Sequence, residues 1–220
     1  MPSSSAITPE ARVSGAAAAL RHLREADPIL AGLLGDATAG EVLPARDPQP
    51  SHYAALVRAI VGQQLSTAAA RTIHERLLAR FEGRPPTPRE ILETEPEALR
   101  SAAGLSKAKL SYLRSLAEHV ESGELDLDHV ATLPDEELIR ELTAVKGIGE
   151  WSAHMFLMFQ LGRPDVLAVG DLGVRRAVQL AWRLDDLPTP AMLTKLAQPW
   201  RPHRTAACRV LWWSLERTRA

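Results

Sequence analysis

Apolar side chains at Tyr53, Leu56, Val57, Ile60 and Val61 follow the i, i+3, i+4, i+7, i+8 spacing of a helix buried along one face. The period returns at Ile73, Leu77 and Phe81, at Leu110, Leu113, Ala117 and Val120, and at Leu138, Ile139 and Leu142. Period-two alternation is nearly absent. One β-like run, Val166-Leu167-Ala168-Val169, lies between Pro164 and Gly170, is too short to build a sheet and reads as an extended connector. The expected fold class is therefore all-α. Gly83 and the run Arg84-Pro85-Pro86-Thr87-Pro88 end one helix. Pro134 followed by Asp135, Glu136 and Glu137 starts another, because the open amides and dipole of a helix N-terminus favour negative charge. The Ser- and Ala-rich stretch from Ser3 to about Ala19 shows little periodicity and reads as a flexible lead without chemistry.

With 45% hydrophobic and 24% charged side chains over 220 residues, the chain can bury a full core. No apolar run approaches the roughly 20 residues of a membrane span. Met1-Pro2-Ser3-Ser4-Ser5 lacks the basic and apolar blocks of a signal peptide, so a soluble, cytoplasmic protein is expected; a monomer is a separate expectation. Cys208 is the single cysteine, which rules out an internal disulfide, a thiolate-bound iron–sulfur cluster and a Cys-based zinc site. His52, His119, His129, His154 and His203 show no metal-ligand spacing and read as structural or surface. Catalysis must then use oxygen or nitrogen groups.

The net charge of -1 does not announce a polyanion-binding protein, but it hides an uneven distribution. From Asp171 onward nine Lys/Arg stand against four acids, a local +5, while the first 170 residues carry 17 against 23. A positive face is possible on a nearly neutral molecule.

After the helix of Leu138 and Leu142 comes Val145-Lys146-Gly147-Ile148-Gly149-Glu150-Trp151, then an apolar helix through Met155, Met158 and Phe159. Glycines at 147 and 149 allow positive φ and close backbone approach, and the following helix starts with unpaired N–H groups. Such a turn can hold a phosphate without a basic side chain. Gly-x-Gly alone is better explained by a plain helical hairpin. Asp171, by itself, reads as the N-cap of a helix through Val174, Ala177 and Val178.

Four blocks taken together say more: Ile60-Val61-Gly62-Gln63-Gln64-Leu65-Ser66, Leu142 through Ala153, Val169-Gly170-Asp171-Leu172-Gly173-Val174, and Trp200-Arg201-Pro202-His203-Arg204-Thr205-Ala206-Ala207. In order and spacing they resemble the helix-hairpin-helix DNA glycosylases, specifically the 3-methyladenine DNA glycosylase II family, over roughly Ser51 to Trp213. The resemblance implies two helical lobes from one chain, with the DNA and base pocket in the cleft between them; unlike in the longer members of the family, the residues before Ser51 are expected to leave no room for an N-terminal β domain. It divides the chain into residues 1–50, a tail and first helices packing on the second lobe, and a glycosylase core over 51–220.

The implied function is a monofunctional DNA glycosylase that hydrolyses the N-glycosidic bond of alkylated bases such as 3-methyladenine in base excision repair, with damaged double-stranded DNA as partner. Asp171 matches the catalytic aspartate: loss of a base leaves positive charge on the sugar, which a fixed carboxylate stabilises as it develops. Trp151 stands where the strand-cleaving relatives carry a Schiff-base lysine, and Lys146 does not match that place, so no lyase activity is expected. A buried base must be turned out of the duplex, and the family's plug falls on Gln64 or Leu65. Cationic alkylated bases attract aromatic faces. Trp212 matches a pocket position, Trp151 is a second candidate, and Met155 and Leu172 stand where relatives place aromatics, while Trp213 reads as core.

The resemblance also implies phosphate contacts from Gly147, Ile148 and Gly149, with Ser106, Lys107, Lys109 and Arg204 as further candidates. It implies a monovalent cation, Na+ or K+, held by the backbone carbonyls of Thr143, Val145 and Gly147; no redox or organic cofactor is required. Two alternatives remain open on these residues: a glycosylase of the same fold acting on another lesion, such as uracil or hypoxanthine, and a DNA-binding module without chemistry.

Overall fold

A computed structural model describes residues 9–45 and 48–219. Among the described residues every regular element is helical, so the chain is all-α. It opens with α1 (Pro9–Ala26), α2 (Pro28–Leu34) and α3 (Ala39–Val42). It continues through α4 (His52–Gly62), α5 (Thr67–Arg80), α6 (Pro88–Glu93), α7 (Pro96–Ala103), α8 (Lys107–Glu121), α9 (Leu127–Val130), α10 (Asp135–Ala144) and α11 (Glu150–Phe159). It closes with α12 (Leu172–Ala181), α13 (Pro190–Leu196), a 3-10 turn (Gln198–Trp200) and α14 (Arg204–Arg219). The stretch expected to be a flexible lead is helical from Pro9 onward. Its alanines are strong helix formers, and they lead into the buried Ala19, Leu20 and Leu23. The part of that stretch before Pro9 lies outside the described residues.

The described residues form two compact units. One holds 48–162, with α4 to α11. The other joins 9–45 to 163–219, so the expected single division after residue 50 becomes two crossings, and the N-terminal helices share a core with the C-terminal ones.

In the unit of residues 48–162, the stripe Tyr53, Leu56, Val57, Ile60 and Val61 is fully buried. It packs α4 against α5, α8, α9 and α11. Ser51 caps α4 by accepting from the Ala54 amide at 3.1 Å. Helix α11 is apolar nearly all round, with Ala153, Phe156, Leu157 and Met158 buried, as a helix enclosed by others must be. Among the stripe positions read from sequence, Ile73, Val120 and Ile139 are only half-buried.

In the other unit, α1 packs on α2, α3, α14 and the 3-10 turn, and α12 packs on α14. Asp27 is buried, and a buried carboxylate is costly unless hydrogen-bonded. Its Oδ1 caps α2, accepting from the amides of Ile29 at 2.9 Å and Leu30 at 3.3 Å. Its Oδ2 accepts from the indole N–H of the fully buried Trp200 at 2.9 Å, a contact across 173 residues of sequence.

The run Val166–Val169 is an irregular connector, held by α14. Thr205 Oγ1 accepts from the Val166 amide at 3.0 Å and donates to the Arg163 carbonyl at 2.7 Å. The Thr205 amide donates to the Pro164 carbonyl at 3.0 Å. Replacing Trp200 by Phe removes the donor to Asp27 while keeping a ring in place. We expect a loss of about 2–4 kcal/mol from the unpaired carboxylate oxygen and lost volume, read as a lower urea midpoint with an unchanged slope.

Candidate functional site

Asp171 ends the connector and starts α12. Its Oδ1 accepts from the Val174 amide at 2.7 Å, the N-cap bond expected from sequence. The same oxygen accepts from the indole N–H of Trp212, on α14, at 2.8 Å. Two donors from different helices, α12 and α14, fix the position and the rotation of the carboxylate. Gly173 makes this possible: a Cβ there would come within 3.1 Å of Asp171 Oδ1 and of Trp212 Cδ1 and Nε1. Trp212 is half-buried, Leu172 is 65% exposed, and Asp171 itself is half-buried. Cys208, beneath this region on α14, is fully buried, and burial pushes its thiol up to about 12, so it is not a nucleophile.

Arg204 departs from the expectation of a phosphate contact. Its side chain is 13% exposed and is committed to Asp165: Nε donates to Oδ1 at 2.7 Å, and Nη2 donates to Oδ2 at 3.0 Å and to the backbone carbonyl at 2.8 Å. A bidentate pair of this kind fixes geometry, and here it ties α14 to the connector that carries Asp171. Trp213 is half-buried instead of core, with the Arg217 guanidinium 4.6 Å from its ring centroid.

The second group of site residues lies in the unit of residues 48–162. The turn between α10 and α11 contains Gly147 at φ +92, where a Cβ would sit 2.1 Å from Cγ of Tyr112 on α8. Glycine is required there twice over, by conformation and by contact. The Ile148 amide donates to the Val145 carbonyl at 3.0 Å and its side chain is buried, so Ile148 seals the turn from within. Gly149 is exposed, and no side chain caps the start of α11. This is the geometry of an anion site built from backbone. Trp151, in the first turn of α11, is 42% exposed, while Met155 is half-buried one turn later.

The cation expected at Thr143, Val145 and Gly147 can be tested on the carbonyls themselves. Those of Val145 and Gly147 each already accept one hydrogen bond, from the Ile148 amide and from Gln63 Nε2 at 2.8 Å. A carbonyl oxygen has two lone pairs, so both can still serve a hard cation, and the donor set fits one. Among the described residues no cluster of His, Cys, Asp or Glu could hold a metal.

The segment after α4 holds the two plug candidates. Gln64 is exposed at φ +56, uncommon for a residue with a side chain, and Leu65 is 37% exposed. Lys107 is exposed at the start of α8. Lys109 is not available to a phosphate: its ammonium donates to the Val61 carbonyl at 2.8 Å, at the C-terminal end of α4, and burial lowers its pKa. Sequence reasoning missed Gln63, Tyr112 and Gly173 as site residues. Only Gly173 had a usable signal, a glycine two residues after the cap.

We expect Gly147→Ala to destabilise the hairpin by about 2–4 kcal/mol, from overpacking plus backbone strain. Adding Tyr112→Gly, which removes the Cβ at 2.5 Å as well as the ring, should relieve the contact but not the strain, so the double variant should melt closer to the Tyr112→Gly single variant than Gly147→Ala does to wild type.

Residues 57–202 match the family described as HhH-GPD superfamily base excision DNA repair protein. The DNA-3-methyladenine glycosylase 1 of Schizosaccharomyces pombe is 40% identical over 162 residues, 73% of this chain and 71% of the relative. The DNA-3-methyladenine glycosylase 2 of Escherichia coli is 28% identical, over 72% of this chain and 56% of the relative. Among solved structures, the S. pombe 3-methyladenine DNA glycosylase in complex with abasic DNA is similar at TM-score 0.78 and 35% identity, covering 89% of this chain and 95% of that one. An 8-oxoguanine glycosylase/lyase of Clostridium acetobutylicum, at TM-score 0.73 and 16% identity, shares the fold alone.

Proposed function

This chain belongs to the HhH-GPD superfamily of base excision DNA repair proteins, and from that premise we propose that it is a monofunctional DNA glycosylase releasing alkylated bases such as 3-methyladenine from duplex DNA. The observation that carries the reading is the carboxylate of Asp171, held through one oxygen by Val174 and Trp212 at the start of α12. As the C1′–N bond breaks, its electron pair goes to the cationic base, which departs neutral. Positive charge builds on the sugar, and a carboxylate fixed in advance stabilises it without reorganising. The oxygen of a water then bonds to C1′ and its proton passes to the carboxylate.

Other residues fit the same reading in narrower roles. The aromatic face of Trp212, next to the carboxylate, suits a cationic base. Trp151 has no amine, so the Schiff base of a strand-cleaving enzyme has no nucleophile at that position. The turn of half-buried Gly147 and exposed Gly149 favours a DNA phosphate by backbone and dipole, and exposed Lys107 adds positive charge to the same unit. The carbonyls of Thr143, Val145 and Gly147 would hold a monovalent cation, which supplies positive charge beside that phosphate. No helix among the described residues is long and apolar enough to cross a membrane; we propose that the enzyme acts as a cytoplasmic monomer.

The test is free-base release from methylated duplex DNA, with strand breaks scored before and after alkali and borohydride added in parallel. Release of 3-methyladenine, breaks only after alkali and no trapped adduct are expected. A borohydride-trapped adduct would contradict the monofunctional chemistry. Tight duplex binding with no release from alkylated, uracil- or hypoxanthine-containing DNA would favour a binding module instead.

A further inference from the structure

Gln63 is neither of the plug candidates, yet it makes the contacts that join the plug segment to the hairpin. It sits at the C-cap of α4, immediately before Gln64 and Leu65. Its side-chain Nε2 donates to the Gly147 carbonyl at 2.8 Å and to Ser152 Oγ at 3.3 Å. Ser152 is 2% exposed and lies in the first turn of α11, so one amide group touches both sides of the hairpin turn. The contact spans 84 residues of sequence.

The neighbours of Gln63 remove the freedom that would make this contact incidental. On one side Lys109 holds the last turn of α4 through the Val61 carbonyl. On the other, Tyr112, on the same helix as Lys109, packs against Gly147. The end of α4 and the hairpin turn are thus both referenced to α8, and Gln63 closes the loop between them. Beyond this closed arrangement the backbone goes at once into the positive φ of Gln64. A residue held in that conformation persists only where its surroundings determine it.

We propose that Gln63 is a positioning residue, a strut that sets the plug segment in register with the phosphate-binding hairpin so that grip on the backbone and insertion into the duplex occur together. The proposal rests on the glycosylase reading for what the segment does on DNA, and on the bonds of Gln63 for how it is held. An unstrutted segment can still meet DNA through the hairpin, but must pay the entropy of ordering at the moment of insertion. Binding and insertion would then separate.

The experiment uses the full chain with two variants, Gln63→Leu and Gln63→Glu, neither of which has the amide donor; the second keeps the size and polarity should the first fail to fold. The probe is a duplex carrying a tetrahydrofuran abasic analogue with 2-aminopurine beside it, whose fluorescence rises on unstacking and needs no chemistry. Wild type should raise the fluorescence on binding. Both variants should bind this duplex within about threefold of wild type but lose most of the fluorescence change, with insertion weakened about tenfold, the loss of one hydrogen bond. Ser152→Ala, which removes the longer contact at 3.3 Å and spares the Gly147 one at 2.8 Å, should keep more of the fluorescence change than either Gln63 variant. A full fluorescence change in both variants would overturn the strut, as would a loss of fluorescence that only tracks lost affinity. Base release by wild type, measured separately on methylated duplex, reports on the glycosylase reading; its failure would leave the fluorescence result standing on its own.

Discussion

A carboxylate oxygen that accepts from two N–H groups at once, as Asp171 Oδ1 does from Val174 and Trp212, can neither swing nor rotate without losing one of them. Much of the C-terminal unit can be understood as support for that arrangement. Val174 belongs to the helix the aspartate caps. Trp212 rides on α14, whose first turn pins the connector through Thr205 and Arg204. Gly173 keeps the space between them clear. On the proposed reading, a negative charge in place before the sugar cation develops stabilises it, and this arrangement would supply that charge.

The same unit contains the pair in a second form. Asp27 also caps a helix and also accepts from an indole N–H, that of Trp200. There the carboxylate is buried and the bonds hold the N-terminal helices to the C-terminal ones. At Asp171 the carboxylate is half-buried, at the end of a connector, beside the exposed Leu172. The same two kinds of donor, taken up by both oxygens of Asp27 but by one oxygen of Asp171, thus serve a structural joint in one place and a candidate catalytic group in the other, and exposure separates the two.

The helices were legible because burial imposes a period: the α4 stripe from Tyr53 to Val61 is buried, and Asp171 caps α12 as its residue type suggested. What was not legible is what depends on partners far away in sequence. Arg204 looked like a phosphate ligand until Asp165 took its guanidinium, and Lys109 until the Val61 carbonyl took its ammonium. Gln63 and Gln64 are adjacent and chemically identical, yet one turns inward to the hairpin and the other outward at positive φ. No local pattern separates them. The start of α1 was missed for the opposite reason, since a run of alanines has helix propensity but no apolar stripe to announce it.

The central claim is that the charge of Asp171, and not merely its cap, drives base release. Asn at this position keeps an oxygen for both Val174 and Trp212 but carries no charge. The most direct measurement is single-turnover release of 3-methyladenine from methylated duplex by wild type and Asp171→Asn, with affinity for an abasic duplex measured alongside. The account predicts a rate at least about a hundredfold lower with affinity and melting temperature little changed. Equal rates for the two proteins would contradict it.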